Sequence, residues 1–475
     1  MGRRIVIDPV TRIEGHAKIT IQLDGGGEVA GARLHVTELR GFERFCVGRS
    51  FREMPALTAR VCGICPVSHG LASALAGDAI LAVEVPEPAR VLRRLVNLAQ
   101  LVQSHALSFF HLSSPDLFLG LEAEPARRNL FALAAERPEL ARDGVSLRRF
   151  GQDTIEAVTG RRVHSDWFVP GGVARPLAPE ARDRIRAGLP EALRAARRAL
   201  DAWKHALPGL AEEARVFGSF PSLFLGMVGP DGTLEHTDGR LRLVDAAGAV
   251  VADGLEPASW RDWIAETAAP DSFVKTTAYR PLGQPAGLWR VGPLARLNVA
   301  TRCGTPLADA ELAEFRQLGR GAVLSSFHAH GARLVEILHA LERIALLLDH
   351  PLLLSDEVRA VAARNRARGV GICEAPRGTL LHEYEVDRDG LLVRVELVVA
   401  TAHNVPAIDR TLAQIARHWL SRGRLSEGLL NRVEAGLRAF DPCLSCSTHA
   451  AGKMPFRVEL LGPDGALLDL LERNG

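Results

Sequence analysis

Four of the seven cysteines in this 475-residue chain form two Cys-x-x-Cys pairs near its opposite ends, Cys62-Gly-Ile-Cys65 and Cys443-Leu-Ser-Cys446. One such pair fits a redox thiol pair or half a zinc site. Two pairs supply the four sulfurs of a complete shell around a soft metal. Structural zinc sites usually close within a short segment, whereas these pairs tie together both ends of a large chain, which suits chemistry in a buried core. A histidine follows each pair, His69 and His449. With a helix opening near Pro66, His69 lies about one turn in, where its ring can donate to a thiolate sulfur and tune it. Its plainer reading is a satisfied core histidine. Asp441-Pro442 leads into the second pair. A buried aspartate there needs a cation, and Arg377, in the rigid segment Glu374-Ala-Pro-Arg-Gly378, is a candidate.

The rest of the chain must bring these segments together. Its 47% hydrophobic and 24% charged residues are those of a globular protein. A net charge of +2 and 5% aromatics argue against a nucleic-acid partner. No apolar run approaches the roughly 20 residues that span a bilayer, and no signal peptide is visible. The expectation is a cytoplasmic protein without a membrane span, its cysteines serving as ligands and free thiols.

Alternation predicts strands over 5–7, 17–23 and 29–37. Asp24-Gly25-Gly26-Gly27 reads as a hairpin turn rather than a phosphate loop, because a strand follows it and the phosphate-loop spacing is absent. Helical periodicity predicts helices over 66–81, 87–112, 179–216 (broken near Pro190 and Pro208), 310–348, 408–420 and 427–440. Residues 391–401 read as a strand, and 241–244 with 250–251 as a small hairpin. The fold class expected is α+β and predominantly helical: a long-helix bundle core with small peripheral β-sheets.

Longer motifs carry a resemblance. Arg60-Val-Cys62-Gly-Ile-Cys65-Pro-Val-Ser-His69 and Asp441-Pro-Cys443-Leu-Ser-Cys446-Ser-Thr-His449 resemble the two signatures of the large, catalytic subunit of nickel–iron hydrogenases. Ile7-Asp-Pro-Val-Thr-Arg-Ile-Glu14-Gly-His16, Arg40-Gly-Phe-Glu43 and Glu374-Ala-Pro-Arg377-Gly resemble three further motifs of that family, in family order. The stretch Arg290-Val-Gly-Pro-Leu-Ala-Arg-Leu-Asn-Val is most similar to the cytoplasmic NAD-reducing, bidirectional type.

The resemblance implies a Ni-Fe(CO)(CN)2 centre with nickel on Cys62, Cys65, Cys443 and Cys446. Cys65 and Cys446 would bridge to the iron. Glu14 would accept the proton released when H2 is split, and Arg377 would overhang the metals, held by Asp116 and Asp441. Thr401 would donate to a cyanide, although its neighbour, a proline in the family, is Ala400 here. Glu43, the Leu397 carbonyl and His449 would hold Mg2+ or another divalent ion. Cys46, Cys303 and Cys373 show no cluster spacing, and Gly369-Val-Gly371 lacks a dinucleotide fingerprint. No iron–sulfur cluster, flavin or NAD is therefore expected on this chain. Electrons would leave through an iron–sulfur small subunit, then flavin- and NAD-binding diaphorase subunits.

The resemblance also divides the chain into one domain, 1–449, and an extension, 450–475. A nickel-dependent endoprotease, acting with a maturation chaperone, would remove the extension at His449–Ala450. Residues 456–461 and 466–470 read as a hairpin around Gly462-Pro-Asp-Gly465. Three other readings compete. A hydrogen-sensing hydrogenase generally lacks such an extension. A metal-free relative in respiratory complex I would have lost the cysteines. A hydrogenase using another acceptor, such as coenzyme F420, shares all these motifs.

Overall fold

The structure, a computed structural model, describes residues 4–39, 41–269, 272–420 and 426–448, with the backbone of Phe456–Leu461 and Leu467–Arg473. Its centre is a ring of four long helices, Glu87–Ala106, Pro138–Thr159, Pro179–Ala206 and Ala329–Leu348, each packed on two of the others. Leu92, Leu95, Val96, Ala99 and Val102 of the first are fully buried there. The helical period of these apolar positions is what turns one face of each helix inward.

Helix Pro66–Leu81 lies against a three-stranded antiparallel sheet of Arg368–Ala375, Gly378–Val386 and Leu392–Val398. Gly369 and Gly371 explain how closely. A Cβ on either would sit 2.1 Å from the helix carbonyls of Ala76 and Ala72, respectively. The two glycines of Gly369-Val-Gly371 therefore serve a helix–strand contact. A second antiparallel sheet pairs Arg4–Ile7 with Ala17–Leu23 and Val29–Val36. Its turn is the expected one: Asp24 Oδ1 accepts from the N–H groups of Gly26 and Glu28, each at 2.9 Å. Strands Arg240–Val244 and Val250–Leu255 form the expected hairpin, within a four-stranded sheet.

Helices Pro66–Leu81 and Glu427–Phe440 match their expected spans. Others differ for physical reasons. The helix from Glu87 ends at Ala106 and widens into a π-helical turn over Leu107–Ser113. Pro190 does not break its helix, which runs to Ala206, because it lies on the exposed face where water satisfies the freed carbonyl. The span 310–348 is two helices, Pro306–Arg316 and Ala329–Leu348, separated around Gly319 and Gly321. The strand expected over 391–401 stops at Val398, so Thr401 opens helix Ala400–Trp419. In the extension, Phe456–Leu461 pairs antiparallel with Leu467–Arg473 as expected. The intervening turn lies outside the described residues.

Candidate metal centre

Cys62 precedes, and Cys65 caps, helix Pro66–Leu81, whose first residue is a proline that needs no N–H partner. The amides of Ile64 and Cys65 donate to Cys62 Sγ at 3.2 and 3.3 Å. Gln103 Nε2 holds the Ile64 carbonyl at 2.6 Å, and Gln100 accepts the Val67 amide at 2.9 Å. The first pair is thus wrapped by its own backbone and braced by helix Glu87–Ala106.

The second pair follows Asp441, whose left-handed backbone (φ 51°) ends helix Glu427–Phe440. Cys446 lies in the short helix Leu444–Ser447, with Cys443 at its start. Its supports come from elsewhere. The Cys443 amide donates to Thr401 Oγ1 at 2.9 Å. Glu14 forms a parallel bridge with Cys443, and its carboxylate accepts from the amide (3.0 Å) and hydroxyl of Ser445. Gly15 must be glycine there, since its φ is +83° and a Cβ would lie 2.7 Å from Leu444 Cβ.

All four sulfurs meet within 4.8 Å, fully buried, and no other group of three or more such ligand side chains meets among the described residues. Cys62 and Cys443 are 3.4 Å apart, Cys65 and Cys446 3.3 Å. Burial pushes the Cys443 and Cys446 thiols well above their ordinary value. Cys62, accepting hydrogen bonds from Cys443 and then Cys446 and Cys65, goes well below. So tight a group carries four thiolates only when cations enter it.

A cavity of about 280 Å³ opens beside the sulfurs of Cys65, Cys443 and Cys446. Ala375, Pro376, Leu380, Val399 and Ala400 line its apolar wall, and Arg377 and Thr401 add donors. Thr401 accepts the Cys443 amide through its oxygen, so its own hydrogen remains to donate. Arg377 Nη1 is buried with no partner. This donor set fits two soft metals on four sulfurs, one with small ligands filling a dry pocket.

Arg377 donates through Nε to the Asp441 carbonyl at 2.7 Å and through Nη2 to its carboxylate at 3.2 Å. Burial opposes its charge, but Asp441 and the thiols of Cys443 and Cys65 hold the guanidinium firmly charged. Burial pushes the Asp441 carboxyl up against the pull of Arg377 and Arg333. Asp116, expected to hold Arg377 jointly, is engaged elsewhere. It takes Arg12 at 2.5 Å and lies 3.1 Å from Arg438 Nε. The π-helical turn ahead of it also offers the Leu112 carbonyl to Arg12 at 2.7 Å, so Asp116 anchors the segment that carries Glu14.

Glu43 meets Leu397, as expected, but through the Leu397 amide, which donates to its carboxylate at 2.8 Å. The Gly41 amide reaches the Thr448 carbonyl at 3.1 Å. His449 lies outside the described residues, as does Arg40.

Three supports were missed in the sequence. Arg296, fully buried, ties down the Arg377 turn through the Ala375 and Pro376 carbonyls at 2.9 and 3.1 Å. Its charge is matched by Glu374 at 2.9 Å and Glu336 at 2.6 Å. The other two are His382 and Tyr384. His69 Nε2 lies 3.2 Å from Cys446 Sγ, and its Nδ1 lies 3.1 Å from His382 Nε2. His382 Nδ1 is 2.8 Å from the Tyr384 hydroxyl, itself 2.9 Å from Ser73 Oγ. A signal existed: His69 and Ser73 are one helical turn apart, His382 and Tyr384 two residues apart on one strand face. Both spacings are about 6 Å, but only the tertiary contact matches them.

Comparison with known proteins agrees with this centre. The family described as nickel-dependent hydrogenase matches residues 40–136 and 260–449, and one described as HoxL-like matches 4–39. NAD-reducing hydrogenase HoxS subunit beta of Cupriavidus necator is 39% identical over 99% of both chains. A chain of the F420-non-reducing hydrogenase vhu of Methanocaldococcus jannaschii is 38% identical over 88% of this chain and 99% of its own. Among solved structures, an NAD+-reducing [NiFe]-hydrogenase in the H2-reduced state superposes with a TM-score of 0.91 at 43% identity, covering 94% of this chain and 99% of its own. Both the sulfur cage and these likenesses lead to one conclusion: the chain belongs to the nickel-dependent hydrogenases, as their large subunit.

Proposed function

We propose that this chain is the H2-activating subunit of a cytoplasmic hydrogenase that reduces NAD+. The observation that carries the reading is the convergence of four buried thiols beneath Arg377. The acceptor is supported by the likeness to an NAD-reducing relative along 99% of the chain. A nickel–iron centre bound by Cys62, Cys65, Cys443 and Cys446 supplies heterolytic cleavage of H2 into two protons and two electrons.

The chain's own residues manage the protons and the surroundings. Glu14, bridged to Cys443 by its backbone, receives the proton from that sulfur and passes it outward; a carboxylate suits this because it exchanges protons with little motion. Arg377 and Thr401 face the cavity as donors to small anionic ligands. The apolar wall keeps water from them. Glu43, the Leu397 carbonyl and His449 are proposed to hold a divalent ion, an arrangement that the Glu43–Leu397 and Gly41–Thr448 contacts support.

Electrons are proposed to leave on the side of Arg60, Gly63 and His164, which are exposed or half-buried next to Cys62. An iron–sulfur small subunit would cover that face, followed by flavin- and NAD-binding diaphorase subunits. Among the described residues no helix is long and apolar enough to cross a membrane. Removal of residues 450–475 on maturation is also proposed. The NAD-reducing relative is matched over 99% of this chain, the solved structure over 94%, a difference of the size such a tail would leave.

Infrared bands of CO and CN, with nickel and iron analysis, test the centre in protein produced with its maturation machinery. Loss of both overturns the reading. An NAD+-reduction assay of the purified complex tests the acceptor. Activity with artificial dyes alone would favour the second reading, another acceptor, which the 38% identity to an F420-non-reducing hydrogenase supports. An intact mass that still includes residues 450–475 in active enzyme overturns processing.

A further inference from the structure

The four-residue chain behind Cys446 has a direction, and that direction depends on its far end. When Cys446 is a metal-bound thiolate it can only accept, so His69 must present Nε2–H to it across the 3.2 Å contact. A neutral His69 then has a bare Nδ1, which needs a donor. That donor is His382 Nε2–H at 3.1 Å. A neutral His382 is in turn bare at Nδ1 and needs the Tyr384 hydroxyl at 2.8 Å. Tyr384 spends its only hydrogen there, and Ser73 Oγ, 2.9 Å away, is free to turn its own hydrogen to the phenol oxygen. Burial keeps the Tyr384 phenol protonated, so it remains a donor. His69, Ser73, His382 and Tyr384 are all buried, and water is therefore no ready substitute.

We propose that Tyr384 is a positioning residue for hydrogen activation: its hydroxyl fixes the tautomer of His382, and through it that of His69, so that a hydrogen bond reaches the Cys446 sulfur. Such a bond draws electron density from the sulfur and hence from the metals it binds. Without the Tyr384 hydroxyl, His382 keeps its hydrogen on Nε2 only by leaving Nδ1 unpartnered in the interior. The alternative tautomer reverses the chain and turns a lone pair of His69 toward the thiolate.

The proposal rests on the nickel–iron reading, and infrared spectra of the loaded complex test the two separately. Tyr384→Phe keeps the ring and removes the donor. The CO and CN bands are expected to move by a few wavenumbers to lower frequency, since the sulfur returns density to the iron. A glutamine at 382 can donate through Nε2 to His69 without a tautomer to be fixed. In the His382→Gln background, therefore, adding Tyr384→Phe is expected to leave the bands in place. Bands in the parent that do not move in Tyr384→Phe overturn the relay alone. An equal shift in both backgrounds also overturns it, because Tyr384 then acts through packing. A parent without CO and CN bands overturns the nickel–iron reading and the relay with it.

Discussion

The two cysteine pairs have the same spacing but are held in opposite ways. Cys62 and Cys65 lie at the mouth of a 16-residue helix, and two adjacent amides already close on the Cys62 sulfur. Cys443 and Cys446 have only a four-residue helix of their own. They are held by Glu14, Thr401, Arg377 through Asp441, and His69, from four separate segments. The first pair is a local structure to which the fold adds braces. The second exists only once the fold is complete, so its geometry reports on every segment that reaches it.

Removing a ligand tests both halves most severely. Cys446→Ser and Cys62→Ser are each expected to abolish stable nickel–iron incorporation and H2 oxidation, read by metal analysis and infrared bands. Retained CO and CN bands in either would sink the assignment of four ligands.

Glu14→Gln is the next largest change. General acid–base catalysis contributes about 10²–10⁴-fold, so H2-dependent turnover should fall at least about 100-fold. Metal content should stay at the parent level, because glutamine can still accept from Ser445. Equal turnover would remove Glu14 from the proton route.

Asp441→Asn separates support from chemistry. It leaves the buried Arg377 charge without its carboxylate, and breaking such a pair costs about 3–5 kcal/mol. Chemical denaturation should show this as a lower midpoint. An unchanged midpoint would mean that the thiols of the second pair, not Asp441, hold the guanidinium.

The smallest effects compare the pairs directly. Thr401→Val leaves the Cys443 amide unsatisfied, at a cost of about 1–3 kcal/mol, and should slow metal retention against a chelator. Gln103→Leu leaves the Ile64 carbonyl bare on a partly exposed segment and should cost less, about 1 kcal/mol. If Gln103→Leu loses metal as fast as Thr401→Val, the first pair is no more self-supporting than the second.

This asymmetry also explains what could be read from sequence. Helix Pro66–Leu81 and the hairpin around Asp24 were legible because their signals are local: a proline at the first helical position, an aspartate capping a glycine turn. The four ligands were legible because cysteine is scarce and its spacing diagnostic. Asp116 was misassigned because nothing local distinguishes Arg377 from Arg12 as its partner. That choice is made by the widened turn at Leu107–Ser113, which periodicity continued as ordinary helix. Arg296 and Tyr384 were passed over because an arginine and a tyrosine are ordinary surface residues until burial is known. The start of helix Ala400–Trp419 was missed because Leu392–Val398 continues into it without a polar break.

The parallel bridge between Glu14 and Cys443 has a consequence for how the protein is made. Its two halves are separated by almost the whole chain. At about 5–20 residues per second on the ribosome, residue 14 waits roughly 20–90 s for residue 443 to be synthesised. During that interval the N-terminal segment is without its partner, whereas the first cysteine pair can already close on itself. An assembly factor arriving early would therefore find a half-built cage open on one side, with the last wall still being translated.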